Sequence, residues 1–467
     1  MAGGTGTRLW PISRKSYPKQ FSKLIDKKTL FQQAALRLSS SKIVKFSSHI
    51  TLTISDFRFI VAEQLHGVGI DPGPILIEPE GKNTAPAILA ASFYTYERNK
   101  DAILLIAPSD HIIQNQEAFH RSVATGIGEV LKGNIVTFGI TPTRPEAGYG
   151  YLELLGNADH NPKKLRRFIE KPSVTDAKKM LEDGNFLWNS GIFMFRSKDM
   201  IEAFKLYHFQ SVDPVKASIK HGKLDLGFFR FDSEAWKKCE NISIDYAIME
   251  QAKNLVAVPF SEGWSDLGGW DAVWEEMGPD NKGVALSSNA HAIECSNTLL
   301  RSESENQEII GLGLEEIIAI AMPDAVLVAK KNQSENVKKV VSMLKSRGIT
   351  QAEVFPKDHR PWGWFEKLVA GSRFQVKRIL VHPGAAISLQ CHHHRSEHWI
   401  VVEGTAKVTI NEEVKLISEG ESVHIPLGAI HRMENPGKVP MLLIEVQTGT
   451  YLGEDDIIRY EDIYSRE

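Results

Sequence analysis

From the beginning of the chain to about residue 275, short runs of consecutive apolar residues alternate with longer stretches of helical period. Residues 102–107 and 135–139 are two such runs. A strand that is apolar at consecutive positions buries both faces, so helices must cover both sides of its sheet. The pattern therefore predicts an α/β domain with a Rossmann-like, mainly parallel sheet, whose ligands bind in loops beyond the strand ends.

This pattern changes twice towards the C-terminus. Short β-like segments such as 317–320 and 325–329 predict a small β-rich appendage, and residues 356–361 contain two prolines and have the composition of a linker. Alternating segments such as 374–381 and 406–410 then predict an all-β jelly roll. The predicted domains are residues 1–275, 283–348 and 356–467.

Composition excludes several functional classes. The 55 Lys and Arg against 58 Asp and Glu give a net charge of -3, which argues against a nucleic-acid or membrane-surface binder. Cys239, Cys295 and Cys391 are too widely spaced for a disulfide framework or a thiolate zinc site. Without an apolar run of about 20 residues or a signal peptide, we expect a cytoplasmic protein. Composition leaves its oligomeric state open, a homo-oligomer included.

A glycine-rich run stands at the start of the chain. Its members are Gly3, Gly4, Thr5, Gly6, Thr7 and Arg8. Glycines let backbone amides approach phosphates closely, and the guanidinium of Arg8 matches phosphate oxygens, although a surface turn is the simpler alternative. No Gly-Lys-Ser or Gly-Lys-Thr follows, and Leu9 replaces the third glycine of a dinucleotide fingerprint, so both of those phosphate sites are excluded.

The continuation of this run to Phe21, with Trp10-Pro11 and a Tyr-Pro-Lys-Gln segment that contains Lys19, resembles the signature of sugar-1-phosphate nucleotidyltransferases of the mannose-1-phosphate guanylyltransferase branch. Further motifs of that family recur in order: 78–79 with 82–86, 108–111, 148–150, 168–172, 188–193 and 264–266. One departure is Gly269, since the family pattern there is Gly-Ser-Trp.

The resemblance implies GTP and mannose 1-phosphate as substrates, GDP-mannose and pyrophosphate as products, and Mg²⁺ as cofactor. The nucleotide-binding residues implied are Gly3, Gly4, Thr5, Gly6, Thr7 and Arg8; the catalytic ones are Arg8, Lys19, Asp110, Lys171 and Asp266; those binding sugar phosphate are Gly148, Tyr149, Gly150, Glu170, Lys171 and Asn189. Asp110 and Asp266 would hold Mg²⁺, which prefers oxygen ligands. Taken alone, each aspartate would be a turn or cap residue, and Lys171 a solvated charge.

The glycine run begins at residue 3, although phosphate-binding loops normally follow an apolar strand that fixes their direction. We therefore expect reduced stability or reduced transferase activity for the form that this sequence describes. A short apolar segment added before Met1 that changes neither property would count against this expectation.

A histidine-rich segment lies in the predicted jelly roll. If residues 390–394 form a strand, Gln390, His392 and His394 lie on one face. Glu397 and the later markers Gly420, Pro426, Gly428, His431 and Asn435 resemble the two cupin motifs. With residues 401–405, the segment is similar to the type II phosphomannose isomerases, which are commonly fused behind a guanylyltransferase.

This second resemblance implies a divalent metal, Zn²⁺, Mn²⁺, Co²⁺ or Fe²⁺, held by Gln390, His392, Glu397 and His431. His394 is an alternative ligand for one place. Arg395 is either a clamp for the sugar phosphate or a surface arginine. The implied reaction interconverts fructose 6-phosphate and mannose 6-phosphate. A cupin that only senses sugar phosphates, or serves in assembly, is the alternative reading of this domain.

Overall fold

The computed structural model describes residues 1–4, 6–156, 161–260 and 262–461. The chain divides into two compact units, Met1–Glu353 and Val354–Glu467. Within the described residues, no helix is long and apolar enough to cross a membrane. The boundaries of the three predicted domains at 275, 283, 348 and 356 stay predictions.

The first part of unit one is built from helices and strands in alternation. Its helices are α1 (Leu30–Arg37), α2 (Arg58–His66), α3 (Thr84–Tyr96), α4 (Gln116–Leu131), α5 (Val174–Asp183), α6 (Ser197–Tyr207), α7 (Val212–Lys220), α8 (Ser233–Trp236) and α9 (Trp270–Glu276). Its strands are β1 (Thr51–Ile54), β2 (Ile75–Glu78), β3 (Ile103–Ile106), β4 (Ile112–Ile113), β5 (Ile135–Ile140), β6 (Tyr151–Leu154), β7 (Lys163–Ile169), β8 (Phe186–Arg196), β9 (Lys223–Asp225), β10 (Phe228–Arg230), β11 (Leu255–Pro259) and β12 (Trp264–Ser265).

Two sheets organise these elements, with strand orders β1-β2-β10-β9 and β3-β8-β5-β11-β7-β6. The α/β fold class is confirmed, but strand direction in the larger sheet differs from the expected mainly parallel arrangement. Only its β5–β11 pairing is parallel among the described pairings, whereas β1–β2 and β2–β10 of the smaller sheet are both parallel. The apolar run 135–139 in β5 indicates burial on both faces, but β5 pairs in parallel with β11 and antiparallel with β8, so burial does not determine strand direction.

The start of the chain lies between β1 and the end of β3. The Ala2 amide donates to the Leu52 carbonyl at 2.8 Å, and the Ser109 amide donates to the Met1 carbonyl at 3.2 Å. Gln20 Nε2 donates to the Gly4 carbonyl at 2.9 Å. The glycine run is therefore placed where the carboxyl ends of two strands meet, which is the usual ligand edge of such sheets.

The β-rich part of unit one follows as expected. Its elements are β13 (Ala285–Leu286), β14 (Ala290–Ile293), β15 (Leu299–Ser302), β16 (Ile309–Leu312), β17 (Ile317–Ala321), β18 (Val326–Lys330) and α10 (Val337–Ser346). Strands β13, β15 and β17 pair in parallel, as do β14 and β16, and β18 closes the edge by antiparallel pairing with β17. Parallel pairing of strands that are close in sequence stacks successive turns of the chain on one another.

Unit two is the predicted cupin jelly roll. Its strands are β19 (Lys357–Arg360), β20 (Gly363–Ala370), β21 (Phe374–Val381), β22 (Leu389–His392), β23 (Arg395–Glu403), β24 (Ala406–Ile410), β25 (Glu413–Ile417), β26 (Ser422–Ile425), β27 (His431–Glu434), β28 (Met441–Gly449) and β29 (Ile457–Glu461). They form two antiparallel sheets, ordered β19-β20-β21-β28-β23-β26 and β25-β24-β27-β22-β29. Burial alternates along β28 and β23, so every second side chain enters the interior.

Candidate active sites

A pocket of about 450 Å³ opens beside the glycine run in unit one. Of the residues predicted from the sequence, those that line it are Gly3, Gly4, Asp110, Gly148, Tyr149, Gly150, Glu170, Lys171, Asn189 and Asp266. Gly6, Thr7 and Arg8 follow Gly4 closely along the chain without lining the pocket, Lys19 precedes the lining residue Gln20, and Thr5 lies outside the described residues. The fold thus gathers residues from most of the first 266 positions into one cavity.

Lys19 joins the two candidate magnesium ligands. Its Nζ lies 3.2 Å from Asp110 Oδ2 and donates to the backbone carbonyls of Asp266, at 2.5 Å, and Leu267, at 3.2 Å. Burial would raise the pKa of Asp110, yet the charges of Lys19 and His111 leave it below its usual value. Asp110 is therefore an anion, as a magnesium ligand must be.

Asp266 is oriented by Tyr149. The Tyr149 hydroxyl donates to Asp266 Oδ1 at 2.6 Å, and the ring packs edge-on against Trp188 and Trp264. Burial, and then the Asp266 charge, raise the pKa of Tyr149, so the phenol keeps its proton. Tyr149, predicted to bind substrate, thus also fixes a carboxylate that faces the cavity.

Arg8 approaches the same carboxylate. Both side chains lie beside Gly268: a Cβ atom at that position would be 3.1 Å from Asp266 Oδ2 and 3.5 Å from Arg8 Nη1. The Gly268 amide donates to Asp266 Oδ1 at 3.1 Å. Because Arg8 is exposed, its guanidinium remains available to a phosphate.

The opposite side of the pocket carries Glu170, Lys171 and Asn189. The Glu170 carboxylate is 8% exposed and lies 2.7 Å from Lys171 Nζ. A side chain at Gly150 would reach within 2.8 Å of Glu170 Oε2, so glycine is needed there for close packing. Lys171 has φ of 46°, a left-handed conformation that costs energy in a residue with a side chain. Asn189 Oδ1 accepts from Thr137 Oγ1 at 3.0 Å.

Sequence reasoning missed Asp245 in this pocket. Asn189 Nδ2 donates to Asp245 Oδ1 at 3.2 Å. Burial, together with the charge of Glu170, raises the pKa of Asp245 to about 6. The signal was present, because Asp245 is the acid within segment 242–249, which is otherwise apolar except for Ser243 and Tyr246.

In unit two, His392, Glu397 and His431 converge. One ligand atom from each lies within 4.8 Å of the others, and all three residues are at most 2% exposed. His392 Nε2 is 3.0 Å from Glu397 Oε1, and His431 Nε2 is 3.9 Å from Glu397 Oε2. His392 and His431 lie on β22 and β27, which pair within one sheet, and Glu397 lies on β23 of the other sheet.

The donors of this cluster fit a divalent metal. Among the described residues, neither ring nitrogen of His392 nor Nε2 of His431 makes a hydrogen bond of acceptable geometry, even though the Glu397 carboxylate lies close by. His431 Nδ1 donates to the Ala429 carbonyl at 2.9 Å, which leaves Nε2 with a free lone pair. Burial lowers the pKa of His431, and the neutral imidazole that results is the form that binds metals. Burial opposes ionisation of Glu397, but His392, His431 and Arg395 hold its pKa well below the usual value.

The other predicted ligands are placed differently. Gln390 pairs with His431 across β22 and β27, and its Oε1 accepts from Ser388 Oγ at 2.9 Å. His394 does not join the cluster, since its Nδ1 lies 2.7 Å from Asp456 Oδ1 and its side chain is 58% exposed. The predicted alternation fails at His394 because β22 ends at His392.

Arg395 is a buried residue, not a surface arginine. Its Nε donates to Glu397 Oε1 at 3.2 Å and its Nη1 donates to the Gly453 carbonyl at 2.7 Å. It lines a cavity of about 60 Å³ together with Gln390 and Glu397. At this position it orients the Glu397 carboxylate, which is a predicted metal ligand.

A further layer of buried polar residues was missed by sequence reasoning. Trp399 Nε1 donates to both Glu397 and Glu445 at 3.1 Å, and Gln447 Nε2 donates to the same two carboxylates at 3.0 and 2.9 Å. Burial, and then the Glu397 charge, raise the pKa of Glu445 to about 8. Lys377 Nζ lies 3.7 Å from Glu445 and 2.5 Å from Glu454. Only their alternate placement on β21, β23 and β28 could have indicated these residues.

Comparison with known proteins covers the whole chain. A family model described as nucleotidyl transferase matches residues 1–282, one described as MannoseP isomerase/GMP-like beta-helix domain matches 288–344, and one described as mannose-6-phosphate isomerase C-terminal matches 347–462. The xanthan biosynthesis protein XanB of Xanthomonas campestris pv. campestris is 43% identical across 100% of this chain and 98% of its own length.

Mannose-1-phosphate guanylyltransferase of Escherichia coli K12 is 40% identical, again across 100% of this chain and 98% of that protein. Among solved structures, one described as mannose-1-phosphate geranyltransferase from Thermus thermophilus superposes with a TM-score of 0.64 at 28% identity. It covers 74% of this chain and 98% of that chain.

Proposed function

The chain belongs to the bifunctional family that joins a mannose-1-phosphate guanylyltransferase to a type II mannose-6-phosphate isomerase domain, and from this premise we propose that it catalyses both reactions. In the first, a phosphate oxygen of mannose 1-phosphate attacks the α-phosphorus of GTP. The new bond gives GDP-mannose, and the bond to the β-phosphate breaks to release pyrophosphate. The observation that carries the proposal is the contact of Lys19 with both Asp110 and the Asp266 backbone, at the edge of the pocket that Asn189 lines.

The residues of unit one divide this reaction between them. Amides of the glycine run and Arg8 bind the triphosphate, and Lys19 neutralises charge that develops on it. Lys171 pairs with the sugar phosphate. Glu170 accepts hydrogen bonds from sugar hydroxyls, and Asn189 forms a hydrogen bond with another hydroxyl. Asp110 and Asp266 would hold Mg²⁺, which neutralises phosphate charge and orients the nucleotide. No covalent enzyme intermediate is needed, because positioning and charge stabilisation suffice.

In unit two, we propose interconversion of fructose 6-phosphate and mannose 6-phosphate by transfer of a proton between C1 and C2. His392, Glu397, His431 and Gln390 would hold the divalent metal, which polarises the sugar carbonyl. Arg395 keeps Glu397 ionised and oriented through its 3.2 Å contact. The intact cluster offers no observation that favours a cupin acting only as a sensor.

The base specificity and both activities can be tested with one purified protein. Pyrophosphate release from mannose 1-phosphate would be measured with GTP, ATP, UTP, CTP and dTTP, and the reverse reaction with GDP-mannose. We expect GTP to give the highest kcat/KM. Equal or higher turnover with another nucleotide would overturn the assignment of GTP. The same protein, supplied in turn with Zn²⁺, Mn²⁺, Co²⁺ and Fe²⁺, should interconvert the two hexose 6-phosphates, and no conversion with any of these metals would remove the isomerase.

A further inference from the structure

The segment that carries Lys19 is fastened to the β-rich part of unit one. We call residues 6–21 the nucleotide loop, because they begin within the glycine run and end just after Lys19. Its middle portion contains a fully buried arginine, Arg14, which no step of the proposed reaction uses. Burial of a cation costs free energy unless the cation is paired with an anion.

Arg14 forms a two-pronged ion pair with Asp324. Nη1 and Nη2 of Arg14 each lie 2.6 Å from a different oxygen of the Asp324 carboxylate. Arg14 Nε donates to the Pro11 carbonyl at 2.9 Å, so the guanidinium plane is set by its own loop. Asp324 stands in the tight turn between β17 and β18, where the Met322 amide donates to the Ala325 carbonyl at 2.9 Å. The pair joins positions that are 310 residues apart.

Short links connect Arg14 to Lys19 and to the glycine run. The Arg14 and Tyr17 backbones exchange hydrogen bonds of 3.0 and 3.1 Å, and the Tyr17 hydroxyl donates to the Phe21 carbonyl at 2.7 Å. In the other direction, Ser13 Oγ donates to the Gly6 carbonyl. A shift of Arg14 would therefore move both the phosphate-binding amides and Lys19.

Other contacts reinforce the same fastening. Trp10 Nε1 donates to the Gln351 carbonyl at 2.9 Å, and the Ser16 amide donates to the Glu353 carbonyl at 3.0 Å. Arg301 Nη2 donates to the Lys23 carbonyl at 2.8 Å, just beyond the loop. Residues after the α/β part therefore hold the nucleotide loop at several points along its length.

Stability alone is a weak explanation for the ion pair. Arg14 is fully buried and Asp324 is 26% exposed, so the pair loses much of its hydration, and replacement of such a pair by apolar residues of similar volume is often as stable. What a two-pronged pair adds is a fixed distance and orientation. A catalytic cation has to be held within a fraction of an ångström to act on a transition state.

We propose that Arg14 and Asp324 are positioning residues for nucleotidyl transfer, which hold the nucleotide loop so that Lys19 Nζ stays between Asp110 and the Asp266 backbone. The β-rich part of unit one is then a component of the transferase. This inference rests on the proposed transferase function. Asp324, the partner of Arg14, lies in a part of the chain that contains none of the predicted catalytic residues.

The test compares Asp324→Asn and Arg14→Lys with Asp324→Glu in the full chain. Asp324→Asn removes the carboxylate charge, and Arg14→Lys removes the guanidinium that makes two contacts. Each should lower the transferase kcat at least tenfold while the KM for mannose 1-phosphate changes less than twofold. Asp324→Glu should recover more activity than Asp324→Asn. The matched control is Glu308→Gln, which removes an exposed ion pair with His291 in the same β-rich part and should leave kcat unchanged.

A double-mutant cycle separates positioning from general loss of structure. In a Lys19→Met background, Asp324→Asn should lower kcat by a much smaller factor than in the wild-type background, because the larger part of its effect passes through Lys19. Rates would be divided by the folded fraction from thermal unfolding; if Asp324→Asn does not fold, Arg14→Lys takes its place in the cycle. Wild-type kcat in a folded Asp324→Asn protein, or additive losses in the cycle, would overturn the inference. An inactive wild-type chain would instead overturn the proposed transferase.

Discussion

The two candidate sites are assembled in opposite ways. In the cupin, His392, Glu397 and His431 come from strands of its two sheets within a stretch of 40 residues, and each is at most 2% exposed. In the nucleotidyltransferase site, Lys19, Asp110 and Asp266 lie on loops or strand ends, and the Lys19 and Asp110 side chains are 13% and 30% exposed. One site is built on the strands of unit two, whereas the other is assembled from segments that are far apart in the sequence.

This difference has consequences for the response of each site to mutation. Ligands on hydrogen-bonded strands are held by the fold itself, so loss of one should abolish function and leave its neighbours in place. The position of Lys19 depends on contacts between residues far apart in sequence, such as Arg14 with Asp324. Mutation of each supporting contact should therefore remove only part of the transferase activity. Four experiments test this contrast, beginning with the largest effect.

His431→Gln should reduce isomerase activity by a factor on the order of 10³, because removal of a metal-ligating nitrogen weakens both metal binding and polarisation of the substrate. Bound metal, measured by atomic emission, should fall to near zero, and transferase kcat should stay within twofold. The control is His424→Gln, an exposed histidine on β26. Full isomerase activity in His431→Gln would show that the cluster is not the catalytic centre.

Lys19→Met should lower the transferase kcat by about 10²- to 10³-fold, the size expected for loss of one charged stabiliser of a transition state. The isomerase rate should not change, since Lys19 belongs to the other unit. Steady-state kinetics with GTP and mannose 1-phosphate provide the measurement. Lys15→Met, at an exposed position in the same loop, is the control. A loss smaller than tenfold in Lys19→Met would contradict the assigned role.

The contrast also explains what could be predicted from sequence. The fold class of each part follows from local periodicity. His392, Glu397 and His431 were predicted from the resemblance to the two cupin motifs, whereas strand alternation alone indicated Gln390, His392 and His394. Family motifs indicated the residues that line the transferase pocket. His394 was mispredicted as a rival ligand only because the strand was extended beyond His392, where the chain turns towards Asp456.

Residues that act over long sequence distances could not be found in this way. Asp324 carries no local pattern that points to Arg14. Asp245 stands out locally as an acid in an apolar segment, but its altered pKa arises only when folding buries it and brings the charge of Glu170 near. Strand direction in the larger sheet was also undetermined, since the buried run of β5 pairs in parallel with one neighbour and antiparallel with the other. Local sequence predicts which residues are buried, but it does not identify a contact partner that is distant along the chain.

Asp245→Asn should stabilise unit one at high pH. The pKa of Asp245 in the folded state, about 6, lies above the ordinary value of 3.8, so its contribution to stability is present at low pH and is lost as pH rises through 6. Between about pH 4 and pH 8, the unfolding free energy of the variant should gain on the order of 2 kcal/mol over wild type. Calorimetry of the unit-one transition at both pH values provides the measurement.

Asp183→Asn, at an exposed position at the end of α5, is the control and should show no such pH-dependent gain. Equal effects of Asp245→Asn at the two pH values would mean that Asp245 is not buried as an acid beside Glu170. Such a result would mean that the part of the pocket lined by Glu170, Asn189 and Asp245 is hydrated, and it would weaken the contrast with the cupin.

Gly269→Ser should have the smallest effect, although it restores the family pattern. Gly269 is the N-cap of α9 and supplies no side-chain bond, so serine adds a cap that is worth a few tenths of a kcal/mol over glycine. Its Cβ would come within 2.6 Å of Asp271 Oδ1, which accepts a hydrogen bond from Ser334, so the gain is partly offset by movement of Asp271. We expect a change in melting temperature of less than about 2 °C and a transferase kcat within twofold. A larger loss of kcat would show that even the rim of the loop-built site, three residues from Asp266, controls the position of that carboxylate.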